Sequence, residues 1–273
     1  MARRSQQVRR LVLAVLAAAF GYLAYVYLTL PDVRPLRSVN PPTTAFIELR
    51  AEEARSRGKT PRRVQTWVRY GRISPHLVRA VLVAEDSAFW QHEGLDIEQI
   101  KESIEVNLER GRLARGASTI TQQLAKNLYL SPSRNPARKV RELLIARRLE
   151  AELSKRRILE IYLNVIEWGD GIYGAEAAAQ THFRTSAAAL SADQAALLAA
   201  AIVNPRVLNP SRPSRRLLAR QRLIRGRMGH VDPPAPEPAP ESAPEPPAVP
   251  ATEPAIAPSP TPPVPGAHVP PPG

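Results

Sequence analysis

The chain has 273 residues, enough for one domain with a substantial core plus appended segments. It contains no cysteine, which excludes disulfides and thiolate metal sites. Lys and Arg number 38 against 25 Asp and Glu, and the resulting net charge of +13 favours anionic surfaces and anionic substrates.

Residues 1–10 form a basic segment with Arg3, Arg4, Arg9 and Arg10, and residues 11–30 carry no charge at all. At about 1.5 Å per residue, such a stretch reaches about 30 Å as a helix, the depth of a bilayer core. Tyr22, Tyr25 and Tyr27 crowd its far half, where aromatic belts lie. The arginines should stay cytoplasmic and place the following chain outside. A cleaved signal peptide is the rival reading; it needs a shorter apolar core and a small-x-small cleavage site, which Thr29-Leu30-Pro31-Asp32 does not offer. Residues 31–64, punctuated by Pro31, Pro35, Pro41 and Pro42, read as a linker leading into a domain over 65–229. Ser56 and Lys59 have the S-x-x-K spacing of a serine nucleophile, but no K-T-G or S-x-N partner follows, and the match reads as coincidence.

Ser74 as N-cap and Pro75 as first helical residue predict a helix to Glu85, with Val78, Val81, Leu82 and Glu85 on one stripe. A carboxyl on the face its apolar neighbours bury acquires a raised pKa, which suits a general base; a solvated helix-end acid is the plainer alternative. Asp96–Arg115 reads as a helix through Ile97, Ile100 and Ile104, bounded by Gly111 and Gly116, and is either a movable lid or an ordinary surface helix. From about Ser118 a second helix puts Ile120, Leu124 and Leu128 on one side and Thr119, Gln122, Gln123 and Lys126 on the other. An uncharged amide and hydroxyl face tipped with one lysine suits sugar hydroxyls. The free N–H groups at its start suit an anion. The glycine spacing before it imitates a P-loop, but Ala117 stands where the phosphate-binding lysine is required.

Arg138, Lys139 and Glu142 share one face of the next predicted helix. They form either a surface ion-pair cluster or a basic surface for pyrophosphate with a second carboxylate beside it. Ser154 begins a helix through Asn164, and a glycine-rich turn with Gly169, Gly171 and Gly174 leads to an alanine-rich helix ending at His182-Phe183, where His182 reads as structural. Ala195–Ala200, capped by Ser191, reads as a tightly packed core helix. Arg212–Arg227 forms a basic stretch that anionic lipid headgroups would attract. Residues 230–273 are dominated by Pro, Ala and Glu, without Lys or Arg, and should form a disordered tail.

The ordered patterns E-D-x-x-F-x-x-H-x-G from Glu85, G-A-S-T-I-x-Q-Q-x-x-K-N from Gly116, R-K-x-x-E from Arg138 and K-x-x-I-x-E-x-Y-L-N from Lys155 resemble the peptidoglycan glycosyltransferase family, the monofunctional enzymes and the glycosyltransferase domains of class A penicillin-binding proteins. The resemblance covers about residues 65–215 and implies a mostly α, lysozyme-like fold that polymerises lipid II into β-1,4-linked glycan strands and releases undecaprenyl pyrophosphate, with no transpeptidase activity. It assigns Glu85 and Glu142 to catalysis. Asp86, Phe89, His92, Ser118, Thr119, Gln122, Gln123, Lys126, Asn127, Arg134, Arg138 and Lys139 fall to substrate binding, with Arg141 a weaker candidate for the leaving group. Glu142 either holds a divalent ion such as Mg or Mn or orients the cations around it. The implied partners are lipid II, the growing glycan strand and the bacterial inner membrane, with cell-wall synthesis proteins on the Pro-rich tail and no nucleic acid. A lysozyme-like or lytic-transglycosylase-type glycan-cleaving enzyme and a membrane-anchored scaffold are the alternatives; the anchor and Lys126 favour a lipid-pyrophosphate donor.

Overall fold

The computed structural model describes residues 2–109, 118–131 and 136–231. Among them the fold is mostly helical. The first helix, α1 (Ala2–Leu28), contains a 20-residue apolar window, Arg9–Leu28, and is the one helix there long and apolar enough to cross a membrane. Leu11, Leu16 and Phe20 are exposed along it, whereas Val26 and Leu30 are buried where the helix ends.

The segment after α1 is more ordered than its prolines suggest. Val33 and Leu36 are buried in the core, and Arg157 donates from Nε to the Leu36 carbonyl at 2.7 Å. Pro35 sits inside a 3-10 turn over Arg34–Arg37, where a residue without an N–H is tolerated. Helix α2 (Ala45–Ser56) follows, its N-terminus capped by Thr44. In this entry to the domain, buried apolar side chains and tertiary hydrogen bonds outweigh local proline content.

Helix α3 (Pro75–Glu85) starts as its sequence predicts, with the Ser74 hydroxyl accepting from His76 N–H. It runs through the middle of the core, where Leu77, Ala80, Val81 and Leu82 are fully enclosed. Helix α4 (Ile97–Glu109) precedes α5 (Ile120–Tyr129), α6 (Pro136–Glu152) and α7 (Lys155–Val165). α5 packs on α6 and α7. Asn164 near the end of α7 pins the segment before α3, exchanging hydrogen bonds with both the N–H and the carbonyl of Val68.

Three short strands, β1 (Val64–Gln65), β2 (Glu167–Gly169) and β3 (Ile172–Tyr173), form a sheet in the order β1-β3-β2. β1 runs parallel to β3 and β2 antiparallel to it. Gly174, at φ +85, ends the turn; a Cβ there would lie 2.8 Å from the Asn164 carbonyl oxygen, so a side chain is excluded by both backbone and space. Helices α8 (Ala175–Phe183), α9 (Ala192–Ala201) and α10 (Arg215–Arg227) complete the domain. α9 opens with a reciprocal capping box between Ser191 and Gln194 and packs between α3 and α10. Ala195, Ala196, Ala199 and Ala200 are fully buried, and side chains this small permit the close approach of α9 to the helix that carries Glu85. His182 is structural: its ring nitrogens meet Ser211 Oγ and the Trp168 carbonyl, and burial lowers its pKa.

Candidate active site

The site is assembled where the C-terminus of α3 meets the N-terminus of α5. Asp86 ends α3 and is buried. One of its carboxylate oxygens accepts the Ile120 N–H at 2.9 Å, a donor left free at the start of α5. His92 Nε2 lies 3.0 Å from the other oxygen, and Gly94 N–H donates to His92 Nδ1, which leaves the ring proton on Nε2 facing Asp86. Asp86, His92 and Asp96 lie close enough to share a cation, but this proton makes the Asp86–His92 contact a hydrogen bond. Gly94 has φ +83, and a Cβ would lie 3.1 Å from Glu150 Cγ on α6, so the turn beyond the histidine can press against that helix only as glycine. Phe89 is fully buried with Trp90 edge-on at 5.0 Å and Lys155 Nζ over its ring at 4.5 Å.

The Asp86 link puts Glu85 beside the polar face of α5. Gln123 donates from Nε2 to Glu85 Oε2 at 2.9 Å, and Tyr162 of α7 donates its hydroxyl proton to Gln123 Oε1 at 2.9 Å. Arg220 of α10 approaches from the opposite side, its Nη2 4.0 Å from Glu85 Oε1. Burial raises the pKa of Glu85; the Gln123 hydrogen bond, then Arg220 and Lys126, oppose the rise, and Asp86 adds to it. Lys126 is itself pushed down by burial, with Glu142 and Glu85 holding it up and Arg138 and Lys139 pushing it further down. It therefore feels both carboxylates.

On the other side of Lys126 stands a second buried acid. Glu142 accepts from Arg138 Nη1 at 2.8 Å through one oxygen and from Lys139 Nζ through the other. Lys139 Nζ also donates to Gln122 Oε1 at 3.0 Å and to Ser118 Oγ at 3.4 Å, so α6 and the start of α5 carry one continuous polar network. This arrangement can remove a proton at Glu85 and stabilise negative charge near Lys126, Arg138 and Lys139.

Residues 53–229 match the family model described as transglycosylase. The chain belongs to the transglycosylase family. Curated relatives described as biosynthetic peptidoglycan transglycosylases include one from Laribacter hongkongensis, 53% identical over 193 residues that cover 70% of this chain and 84% of the relative. Another, from Nitrosospira multiformis, is 43% identical over 225 residues, covering 82% and 96%.

Within the transglycosylase segment the structure brings together Glu85, Asp86, His92, Ser118, Gln122, Gln123, Lys126, Arg138, Lys139 and Glu142. Thr119 and Asn127 take supporting positions. α5 begins at Ile120, two residues later than expected, because the Thr119 side chain is its N-cap, accepting from Gln122 N–H and donating to the Gly94 carbonyl. Asn127 donates to the Gln123 carbonyl one turn back. Arg141 turns away from the cluster and donates to the Thr29 carbonyl just past the end of α1. Arg134 and the glycine pair at 111 and 116 lie outside the described residues.

Two contributors to the cleft are not singled out as site residues by the sequence. Tyr162 stands within the K-x-x-I-x-E-x-Y-L-N block, but its apolar helix pattern gives no sign that its hydroxyl meets Gln123. Arg220 is hidden inside a run of arginines, although its spacing of three from Leu217 and four from Ile224, both buried, puts it on the packed face of α10.

Proposed function

We infer that the protein is a peptidoglycan glycosyltransferase that polymerises lipid II into β-1,4-linked glycan strands. The observation that carries the reading is the partly buried Glu85, held by Gln123 and near Lys126, with the Arg138–Lys139–Glu142 cluster close by. Glu85 takes the proton from the acceptor's GlcNAc 4-hydroxyl, and that oxygen attacks the anomeric carbon of the donor. Inversion converts the α-linked carrier into a β-1,4 bond, and undecaprenyl pyrophosphate leaves. The leaving group already bears charge, so it requires cations more than a proton, and Lys126, Arg138 and Lys139 supply them.

Of the two roles open to Glu142, orienting the cations is favoured over holding Mg or Mn, since each of its oxygens already accepts from one of them. Asp86 and His92 fasten the helix end that carries Glu85. Gln123 and Ser118 face the substrate, Gln122 steadies Lys139 from a buried position on the Gly94 carbonyl, and Phe89 braces the turn beneath them. The apolar window of α1 serves as a single-pass anchor in the inner membrane, with the N-terminal arginines cytoplasmic and the catalytic domain periplasmic. The Pro-rich tail is a tether for other cell-wall synthesis proteins.

Incubation of the detergent-solubilised chain with lipid II tests the reading. Polymer that disappears with Glu85→Gln supports it. Full activity of that variant overturns the assignment of the base, and release of muropeptides from purified sacculi without polymer formation makes the glycan-cleaving reading the correct one.

A further inference from the structure

Glu85 is served by a side chain that is ambiguous by nature. The amide of Gln123 presents a donor at one end and an acceptor at the other, and rotating it by half a turn exchanges them without changing its shape. With Nε2 toward Glu85 it supports a carboxylate; with Oε1 toward Glu85 two acceptors oppose each other. α5 alone does not choose between these states.

The choice is made from α7. Tyr162 is fully buried, and among the described residues its hydroxyl has one hydrogen-bond partner, Gln123 Oε1 at 2.9 Å. Turning the amide over would leave the phenolic proton of this fully buried tyrosine without an acceptor, and an unmade buried hydrogen bond is costly. The remaining groups facing Glu85 cannot replace this constraint: Asp86 is an acceptor held by Ile120 and His92, Lys126 is a cation on the same helix as Gln123, and Arg220 stands off at 4.0 Å.

We propose that Tyr162 is a positioning residue whose hydroxyl locks the Gln123 amide with its donor end on Glu85 and so keeps the base ionised and aimed. The proposal rests on the reading of Glu85 as general base. Tyr162 touches neither substrate nor reacting atoms; it acts through Gln123 alone, whereas a merely structural tyrosine would contribute packing that does not pass through the amide.

The test is the pH dependence of lipid II polymerisation by the full-length chain, compared with Tyr162→Phe, Gln123→Met and the double variant. Tyr162→Phe removes one oxygen and keeps the ring. It is expected to lower kcat at neutral pH by about tenfold with little change in KM, and to move the acid limb of the profile upward by roughly half a pH unit or more, as loss of a donor to a charged group requires. Gln123→Met is expected to move the limb in the same direction. Adding Tyr162→Phe to Gln123→Met is expected to cause no further loss, because the hydroxyl then has nothing to orient. An unmoved acid limb in Tyr162→Phe, or losses that multiply in the double variant, overturns the proposal. Should Tyr162→Phe fail to fold, an unmoved limb in Gln123→Met overturns it equally. Wild-type chain that makes no polymer, or Glu85→Gln that retains activity, condemns the underlying assignment and is distinguishable from failure of the lock.

Discussion

The two glutamates of the cleft, Glu142 buried and Glu85 partly buried, are chemically identical and are treated in opposite ways. Glu142 has each carboxylate oxygen occupied by a contacting cation, Arg138 on one side and Lys139 on the other. Glu85 has one neutral amide at contact distance and keeps its cations farther away, Arg220 at 4.0 Å. With both oxygens occupied by cations, Glu142 serves as a holder of Arg138 and Lys139. An acid buried without that compensation has a raised pKa and can exchange a proton. The difference between the two carboxylates therefore lies in the neighbours that α5, α6 and α10 supply.

Exchanging the two environments breaks the comparison most severely at Glu85. Glu85→Gln is expected to cost about 10²- to 10⁴-fold in polymerisation rate, the usual worth of a general base, measured as glycan product from lipid II. The same variant should melt no lower than the wild type. Because the folded pKa of Glu85 is raised, its stability contribution is present at low pH and lost as pH rises through that value, so at neutral pH the neutral amide relieves a cost. Glu142→Ala should behave in the opposite way. Removing the acid deprives Arg138 and Lys139 of their shared carboxylate, and a loss of about 1.5–3 kcal/mol of stability, together with lost activity, is expected in denaturant unfolding.

Smaller effects sharpen the contrast. Arg220→Gln removes a cation that lowers the Glu85 pKa, so the acid limb of the rate profile should move to higher pH with a modest loss of kcat. Thr119→Ala removes the cap of α5 and its bond to the Gly94 carbonyl; about 1 kcal/mol of stability should be lost, visible in thermal melts, with the pH profile unshifted.

Much of this was legible in the sequence because it depends on local rules. Ser74, Ser154 and Ser191 each cap the helix their positions announce, since an N-cap hydroxyl satisfies N–H groups only two or three residues away. The apolar stripe of α3 delivers Glu85 to a buried face, and the R-K-x-x-E spacing brings Arg138 and Lys139 onto Glu142 within one helical turn. Long-range packing decided the rest. The segment over residues 31–64 carries the local marks of a linker, and only contacts from α7 show that Val33 and Leu36 belong to the core. Thr119 and Gln122 look like a sugar-facing pair until the Gly94 carbonyl claims a hydrogen bond from each.

The sequence by itself therefore determined the helices, their caps, the apolar anchor, and which acids and cations lie near one another along the chain. Only the tertiary structure decided which glutamate is saturated with cations and which is not, that Tyr162 meets Gln123 beside Glu85, and that Arg220 approaches Glu85 from a helix 135 positions further along the chain. The physical reason is one of range: capping and helical periodicity act over a few residues, whereas burial and the partners of a buried charge depend on every segment that folds against it.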